Sequence, residues 1–151
     1  MEIRIRRAEL RDETFIVSLA ARFAETRPDW RTDEEVAGGT ARVLREALRS
    51  PSTDAAIFIA EHGEKPSGFV FIVMENDFFT GEPHGHISEI AVADDGRGIG
   101  RALMDAAENW ARQRGSRYIS LNVNLRNERG LRFYESLGYA IEWNHLAKPL
   151  A

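Results

Sequence analysis

The clearest chemical signal in the chain is a glycine-rich stretch between residues 91 and 104, AVADDGRGIGRALM. It has the residue types of a strand end, a tight turn and a helix start. Glycines let a backbone come close to a ligand, and the free N–H groups at a helix start suit a phosphate. Arg97 and Arg101 add positive charge in the same turn. A glycine-rich connection that binds no ligand has the same appearance, so this loop alone leaves both interpretations open.

Two other phosphate-binding patterns fit this loop poorly. A Walker A loop requires Gly-Lys-Ser/Thr, which is absent from the chain. The dinucleotide-binding pattern requires a third glycine where Arg101 stands. That pattern also belongs to an opening strand-helix-strand unit, whereas this loop follows a late strand.

The spacing of apolar residues predicts the elements that must position the loop. These are a strand over 2–8, helices over 10–25 and from about 33 to Ser50-Pro51, a hairpin of strands 55–61 and 67–75, a strand over 84–93, a helix over 98–114, a strand over 117–124, a short helix over 127–137 and an extended piece over 139–150. The order β-α-α-β-β-β-α-β-α-β predicts an α/β fold with a mixed sheet. A length of 151 residues fits one domain spanning 1–151.

Composition and charge disfavour several classes of protein. A net charge of −4 does not favour nucleic-acid binding, which usually needs a strongly basic face. The absence of cysteine excludes disulfides, cysteine nucleophiles and thiolate metal sites. The apolar runs are much shorter than the ~20 residues of a membrane helix, and the N-terminus lacks the apolar core of a signal peptide. We therefore expect a cytoplasmic protein without a membrane or nucleic-acid partner.

Two linked stretches resemble the GNAT superfamily of N-acetyltransferases. Residues 90–111, IAVADDGRGIGRALMDAAENWA, resemble its acyl-CoA-binding motif, and residues 127–139, NERGLRFYESLGY, resemble its next block. Both blocks occur in the family order and at the family spacing, and the predicted element order fits along the whole chain. The family usually opens the loop with Gln or Arg. Alignment on Gly98-Ile99-Gly100 puts Asp95 at that position, whereas a second register would open on Arg97.

The resemblance implies acetyl-CoA as the co-substrate and no metal. In the family the strand before the loop separates from its neighbour, and the pantetheine arm pairs with the exposed edge. Asn127 would cap the last helix and also contact CoA. The residues implied to bind CoA lie on the strand edge, in the loop and at that helix start: Ile90, Val92, Arg97, Gly98, Gly100, Arg101 and Asn127.

Acetylation of an amine requires a base for the ammonium proton, a donor for the developing oxyanion and an acid for the departing thiolate. Tyr134 matches the family tyrosine that donates to the CoA sulfur, although a packing role on the apolar helix face is the plain alternative. His86 and Glu89 are the candidate bases, with bulk water as the third. Strict alternation would put His86 and Glu89 on opposite faces of the strand, and a bulge between them would change that.

The acceptor is expected to be a primary amine of a small molecule or a peptide. Aromatic and acidic residues would suit a cationic amine, although a solvated loop explains them equally well; these are Asp29, Trp30, Asp33, Asp77, Phe78, Phe79 and Trp143. The pair His84-x-His86 lacks a third ligand, which argues against a metal. The short C-terminal segment leaves open whether its last strand is truncated or pairs with a second copy in a homodimer.

Two other functions compete with acetyl transfer. One is a non-catalytic module that binds or senses acyl-CoA, which Asp95 favours and Tyr134 and Asn127 disfavour. The other is a phosphate-ligand binder on an unrelated fold, which would make both motif blocks coincidental. Hydrolase chemistry is disfavoured because the chain has no Gly-x-Ser-x-Gly sequence.

Overall fold

A computed structural model describes residues 2–150 and centres on one five-stranded sheet ordered β1-β2-β3-β4-β5. The strands are β1 (Ile3–Arg7), β2 (Ala55–His62), β3 (Lys65–Asn76), β4 (Pro83–Val92) and β5 (Ile119–Leu121). The helices are α1 (Glu13–Ser18), α2 (Asp33–Arg49), α3 (Ile99–Gln113) and α4 (Glu128–Ser136). Strands β1 to β4 are antiparallel, and β5 runs parallel to β4. The predicted α/β fold with a mixed sheet is confirmed.

Each face of the sheet carries its own apolar core. Helix α3 packs on one face, where its Leu103 and Met104 are fully buried against Val70 and Ile72 of β3. The first helices cover the other face, where Ile16 and Leu44 are fully buried. These helices pack on the sheet because apolar residues at helical spacing give each of them one apolar face to bury. The sheet is thereby fixed from both sides.

The helix predicted over 10–25 is broken into three pieces, α1 between two 3₁₀ turns at Leu10–Asp12 and Ala20–Ala24. The Ser18 hydroxyl donates to the Phe15 carbonyl at 2.6 Å, which is the group that the Leu19 N–H would use in a regular α-helix. The Leu19 N–H turns instead to the carbonyl of Ile16. This local competition ends α1 and starts the second 3₁₀ turn.

The predicted strand over 117–124 shortens to β5, and the strand expected within 139–150 is not formed. After Tyr139, the backbone up to residue 150 makes no main-chain hydrogen bond in the part of the chain that the structure describes. Strand structure requires such a partner. Ile141, Trp143 and Leu146 consequently remain exposed.

Candidate functional site

A cleft opens where β4 and β5 separate. The two strands pair only from Gly85 to Ile87 of β4, so the rest of that edge of β4 has no strand beside it. The cleft has a volume of about 870 Å³. Its walls are the second half of β4, the glycine loop, residues 121–124, α4 and the 3₁₀ turn with the residues after it.

A β-bulge at Ser88 sets which side chains of β4 share a face. Glu89 pairs with Phe71 of β3 but Ile87 already pairs with Ile72, so Ser88 has no counterpart in β3. Because one extra residue reverses the alternation, Glu89 and His86 lie on the same face. The bulge that the sequence left open is therefore present, and it determines how the two candidate bases are arranged.

Glu89 presents a buried carboxylate at the cleft wall. Its Oε2 atom is buried and has no hydrogen-bond partner within residues 2–150. Burial raises the pKa of Glu89 above its ordinary value, and a hydrogen bond with the Ser88 side chain opposes that shift. A carboxylate with a raised pKa and a free oxygen is well suited to accept a proton.

His86 lies on the same face but is not part of the cleft wall. Its Nδ1 atom is 2.9 Å from the Ser120 hydroxyl of β5 and 4.0 Å from the Glu75 carboxylate. Burial lowers the pKa of His86, nearby Glu75 opposes that effect, and His84 adds to it. His84 stacks on Tyr118 with ring centroids 4.5 Å apart, and Tyr118 donates to Asp77 at 2.6 Å. These side chains form a polar network beside the cleft.

The glycine loop adopts the conformation that its sequence predicts. Gly98 precedes α3 with φ of +77°, a left-handed conformation that favours glycine. A Cβ atom on Gly100 would lie 3.1 Å from the Phe133 ring, so glycine lets α3 and α4 come close together. The first N–H groups of α3 therefore lie at the cleft wall beside both glycines.

The charged residues of the loop are paired in two different directions. Arg97 donates to Asp94 at 2.6 Å and does not line the cleft. Asp95 forms an ion pair with Arg129 of α4, in which Oδ2 and Nη1 are 2.9 Å apart. Arg101 lines the cleft. Of the arginines of the loop and of α4, Arg101 and Arg129 therefore line the cleft and Arg97 does not.

Helix α4 forms the wall facing the loop. Asn127 caps it by accepting a hydrogen bond from the Gly130 N–H at 3.0 Å. Tyr134 lines the cleft, and burial raises its pKa. A phenol with a raised pKa keeps its proton at neutral pH and can donate it. Tyr139 stands behind Tyr134, with ring centroids 6.1 Å apart, and donates to Glu108.

A strap consisting of residues 20–28 crosses the cleft and is fixed at both ends. Arg22 donates to the carbonyl groups of Val92 and Ala93 at the end of β4. At the other end the Asn124 amide donates to the Thr26 carbonyl at 2.6 Å, and Arg126 donates to the Arg27 carbonyl at 3.0 Å. The strap thus joins β4 to the segment that follows β5.

Most of the residues predicted from sequence meet in this one cleft. Eight of them line it, namely Glu89, Ile90, Val92, Gly98, Gly100, Arg101, Asn127 and Tyr134, while His86 and Arg97 do not. The aromatic and acidic residues considered for the acceptor also lie outside the cleft wall. Sequence reasoning missed Arg129 and Arg22. The position of Arg129 two residues after Asn127 was a usable signal, whereas nothing linked Arg22 to carbonyls 70 residues away.

Within residues 2–150, no group of three or more His, Cys, Asp or Glu side chains is arranged to hold a metal ion. None of the helices in this range has the length and apolar character that a membrane span requires.

Comparisons with known proteins identify the family of the chain. The acetyltransferase (GNAT) family model matches residues 14–139. An uncharacterized N-acetyltransferase of Methanocaldococcus jannaschii is 36% identical over 87 residues, which cover 54% of this chain and 38% of that protein. The matched segments span only 20% to 39% of the lengths of the curated relatives.

Solved structures share the fold over the full length of the chain. The ribosomal-protein-alanine N-acetyltransferase of Brucella melitensis is similar with a TM-score of 0.73 and 24% identity, covering 99% of this chain and 100% of that one. AAC(6')-Iy in complex with the bisubstrate analogue CoA-S-monomethyl-acetylneamine has a TM-score of 0.73 and 17% identity, covering 100% of this chain and 99% of that one. The family model covers most of the sequence and the fold agrees throughout, so the chain belongs to the GNAT acetyltransferase family.

Proposed function

We propose that the chain is an acetyl-CoA-dependent N-acetyltransferase that moves an acetyl group to a primary amine. The observation that carries this proposal is the free, buried oxygen of Glu89 in the same cleft as Tyr134 and the glycine loop. This cleft thereby combines a candidate base, a candidate acid and a loop suited to the phosphates of the donor. A structural neighbour holds a CoA bisubstrate analogue, which is consistent with this donor.

The residues present fit CoA. The left-handed Gly98 and the close approach of Gly100 to Phe133 leave the first N–H groups of α3 accessible to phosphate. Ile90 and Val92 belong to the open edge of β4, where an extended arm can pair with backbone groups. Bound there, acetyl-CoA supplies an activated thioester for acyl transfer.

Glu89 and Tyr134 take the two proton-transfer roles in this proposal. An amine attacks only after it loses its extra proton, and Glu89 Oε2 is the group placed to receive that proton. The Tyr134 hydroxyl keeps its proton at neutral pH and can donate that proton to the leaving thiolate. His86 lies outside the cleft wall, so we assign the base role to Glu89.

Titration calorimetry with acetyl-CoA and with free CoA tests the donor. The wild-type chain is expected to bind both ligands, and Gly98→Glu is expected to lose binding because its side chain occupies the loop. Gly115→Glu is the matched control, since Gly115 is exposed outside the cleft, has open space around it and shares the left-handed conformation with φ of +79°. Circular dichroism should show that both variants are folded. Unchanged affinity in a folded Gly98→Glu variant would contradict the assignment of the loop.

A further inference from the structure

The Asp95–Arg129 ion pair links the loop to α4 across the edge of the cleft. Their side chains are 51% and 72% exposed, so the pair adds little to the stability of the fold. The pair nevertheless holds the Arg129 guanidinium against the loop that leads into α3, where we place the CoA phosphates. An exposed arginine would otherwise sample many rotamers.

The two loop arginines differ in their position relative to the cleft. Arg97 does not line the cleft. Arg101 is the third residue of α3 and lines the cleft from the first turn of that helix. A guanidinium has five N–H donors in a planar fork, so Arg129 can keep Asp95 on one side and still donate to another anion.

We propose that Arg129 is a cofactor-binding residue that contacts a CoA phosphate, and that Asp95 is the positioning residue that aims it. This inference rests on the proposed use of acetyl-CoA. Asp95 occupies the loop position where GNAT members usually carry Gln or Arg. It thus acts on the phosphate through Arg129. A cation from α4 thereby joins Arg101 on the cleft wall.

A plain charge-cancelling role for Arg129 makes different predictions. If Arg129 only masks the charge of Asp95, the double variant Asp95→Asn/Arg129→Gln should bind CoA as well as wild type does. If Arg129 donates to phosphate, the double variant should remain as weak as Arg129→Gln. Asp95→Asn alone should weaken binding in our account, because Arg129 loses its alignment, whereas simple masking predicts equal or tighter binding.

Calorimetric titration of free CoA into these three variants decides between the two accounts. We expect Arg129→Gln to weaken binding about tenfold or more and to reduce its dependence on salt. Arg132→Gln is the matched control, because Arg132 is exposed on the same helix but does not line the cleft. Equal affinity for Arg129→Gln and wild type, or full recovery in the double variant, would overturn the inference.

Dephospho-CoA identifies which phosphate is contacted. An effect of Arg129→Gln on CoA but not on dephospho-CoA assigns the contact to the 3′-phosphate, and an effect on both assigns it to the diphosphate. Either result supports the inference. Failure of the wild-type chain to bind CoA at all would instead remove the proposed function, and this inference with it.

Discussion

Glu89 and His86 lie on one face of β4, although a regular strand would point them to opposite faces, because Ser88 forms a bulge. The bulge turns the Glu89 carboxylate into the cleft wall and leaves His86 hydrogen-bonded to Ser120 beside it. The two candidate bases therefore share a face of β4, but only Glu89 borders the cleft.

Glu89→Gln should lower kcat/KM for the acceptor amine about 10²-fold, because the amide cannot take the ammonium proton. Affinity for acetyl-CoA should stay within about twofold, which titration calorimetry can measure. The wild-type rate should fall as the pH drops through the raised pKa of Glu89, since protonation removes the base. That acid limb should disappear in the variant.

Two further variants make this prediction specific. Glu82→Gln carries the same change at an exposed residue outside the cleft and should leave kcat/KM unchanged. His86→Gln should reduce kcat/KM less than Glu89→Gln does. The reverse order of effects would assign the base role to His86.

Glu89→Gln should also stabilise the fold at neutral pH. Burial raises the pKa of Glu89 in the folded state, so the folded protein binds this proton more tightly than the unfolded chain. Protonated Glu89 therefore stabilises the fold at pH values below its pKa in the unfolded chain. This stabilisation is lost as the pH rises through the pKa of Glu89 in the folded protein. Urea unfolding should show a higher free energy of unfolding for the variant at pH 7 than for wild type, with the advantage shrinking toward pH 4. A constant difference across this range would contradict the account.

Tyr134→Phe should lower kcat about 10²-fold while CoA affinity changes little, because it removes a proton donor and keeps the ring. Tyr139→Phe is the matched control, since Tyr139 hydrogen-bonds Glu108 and does not line the cleft. Steady-state kinetics on both variants measure the contrast. Equal rates for Tyr134→Phe and wild type would leave Tyr134 as a packing residue only.

Asp12→Asn should destabilise the fold by about 3 kcal/mol, because Asp12 is buried and accepts two 2.8 Å hydrogen bonds from Arg6. Arg6 lowers the pKa of Asp12, so the stability from this pair is present above the unfolded pKa and is lost as the pH falls. The exposed pair of Glu9 and Arg11 is the control, and Glu9→Gln should cost less than about 1 kcal/mol. Equal losses of unfolding free energy in the two variants, measured by urea unfolding, would contradict this prediction.

Sequence periodicity predicted the sheet and the loop because those signals are local. Apolar alternation marks β2 and β3. The glycines of the loop and the capping Asn127 are residues whose backbone requirements can be recognised one at a time. The family motifs then predicted which of these elements would meet, and eight of the ten predicted site residues line one cleft.

Features that depend on distant partners were not predictable in the same way. The bulge at Ser88 follows from how β4 pairs with β3, and no local residue pattern requires it. Arg97 was predicted to face phosphate, but Asp94 lies three residues away in the same loop and takes its guanidinium. The partner of Asp95 comes from α4, so its role becomes visible only in the folded chain.

Thiol release from acetyl-CoA across a panel of amines, with each product identified by mass spectrometry, tests the central claim most directly. The account predicts release of CoA together with an N-acetylated amine for at least one acceptor, and its loss in Glu89→Gln. The panel should contain small aliphatic amines, aminoglycosides and peptides with free N-termini. Tight binding of acetyl-CoA with no acetylated product on any of them would contradict the transferase and favour a module that only binds acyl-CoA.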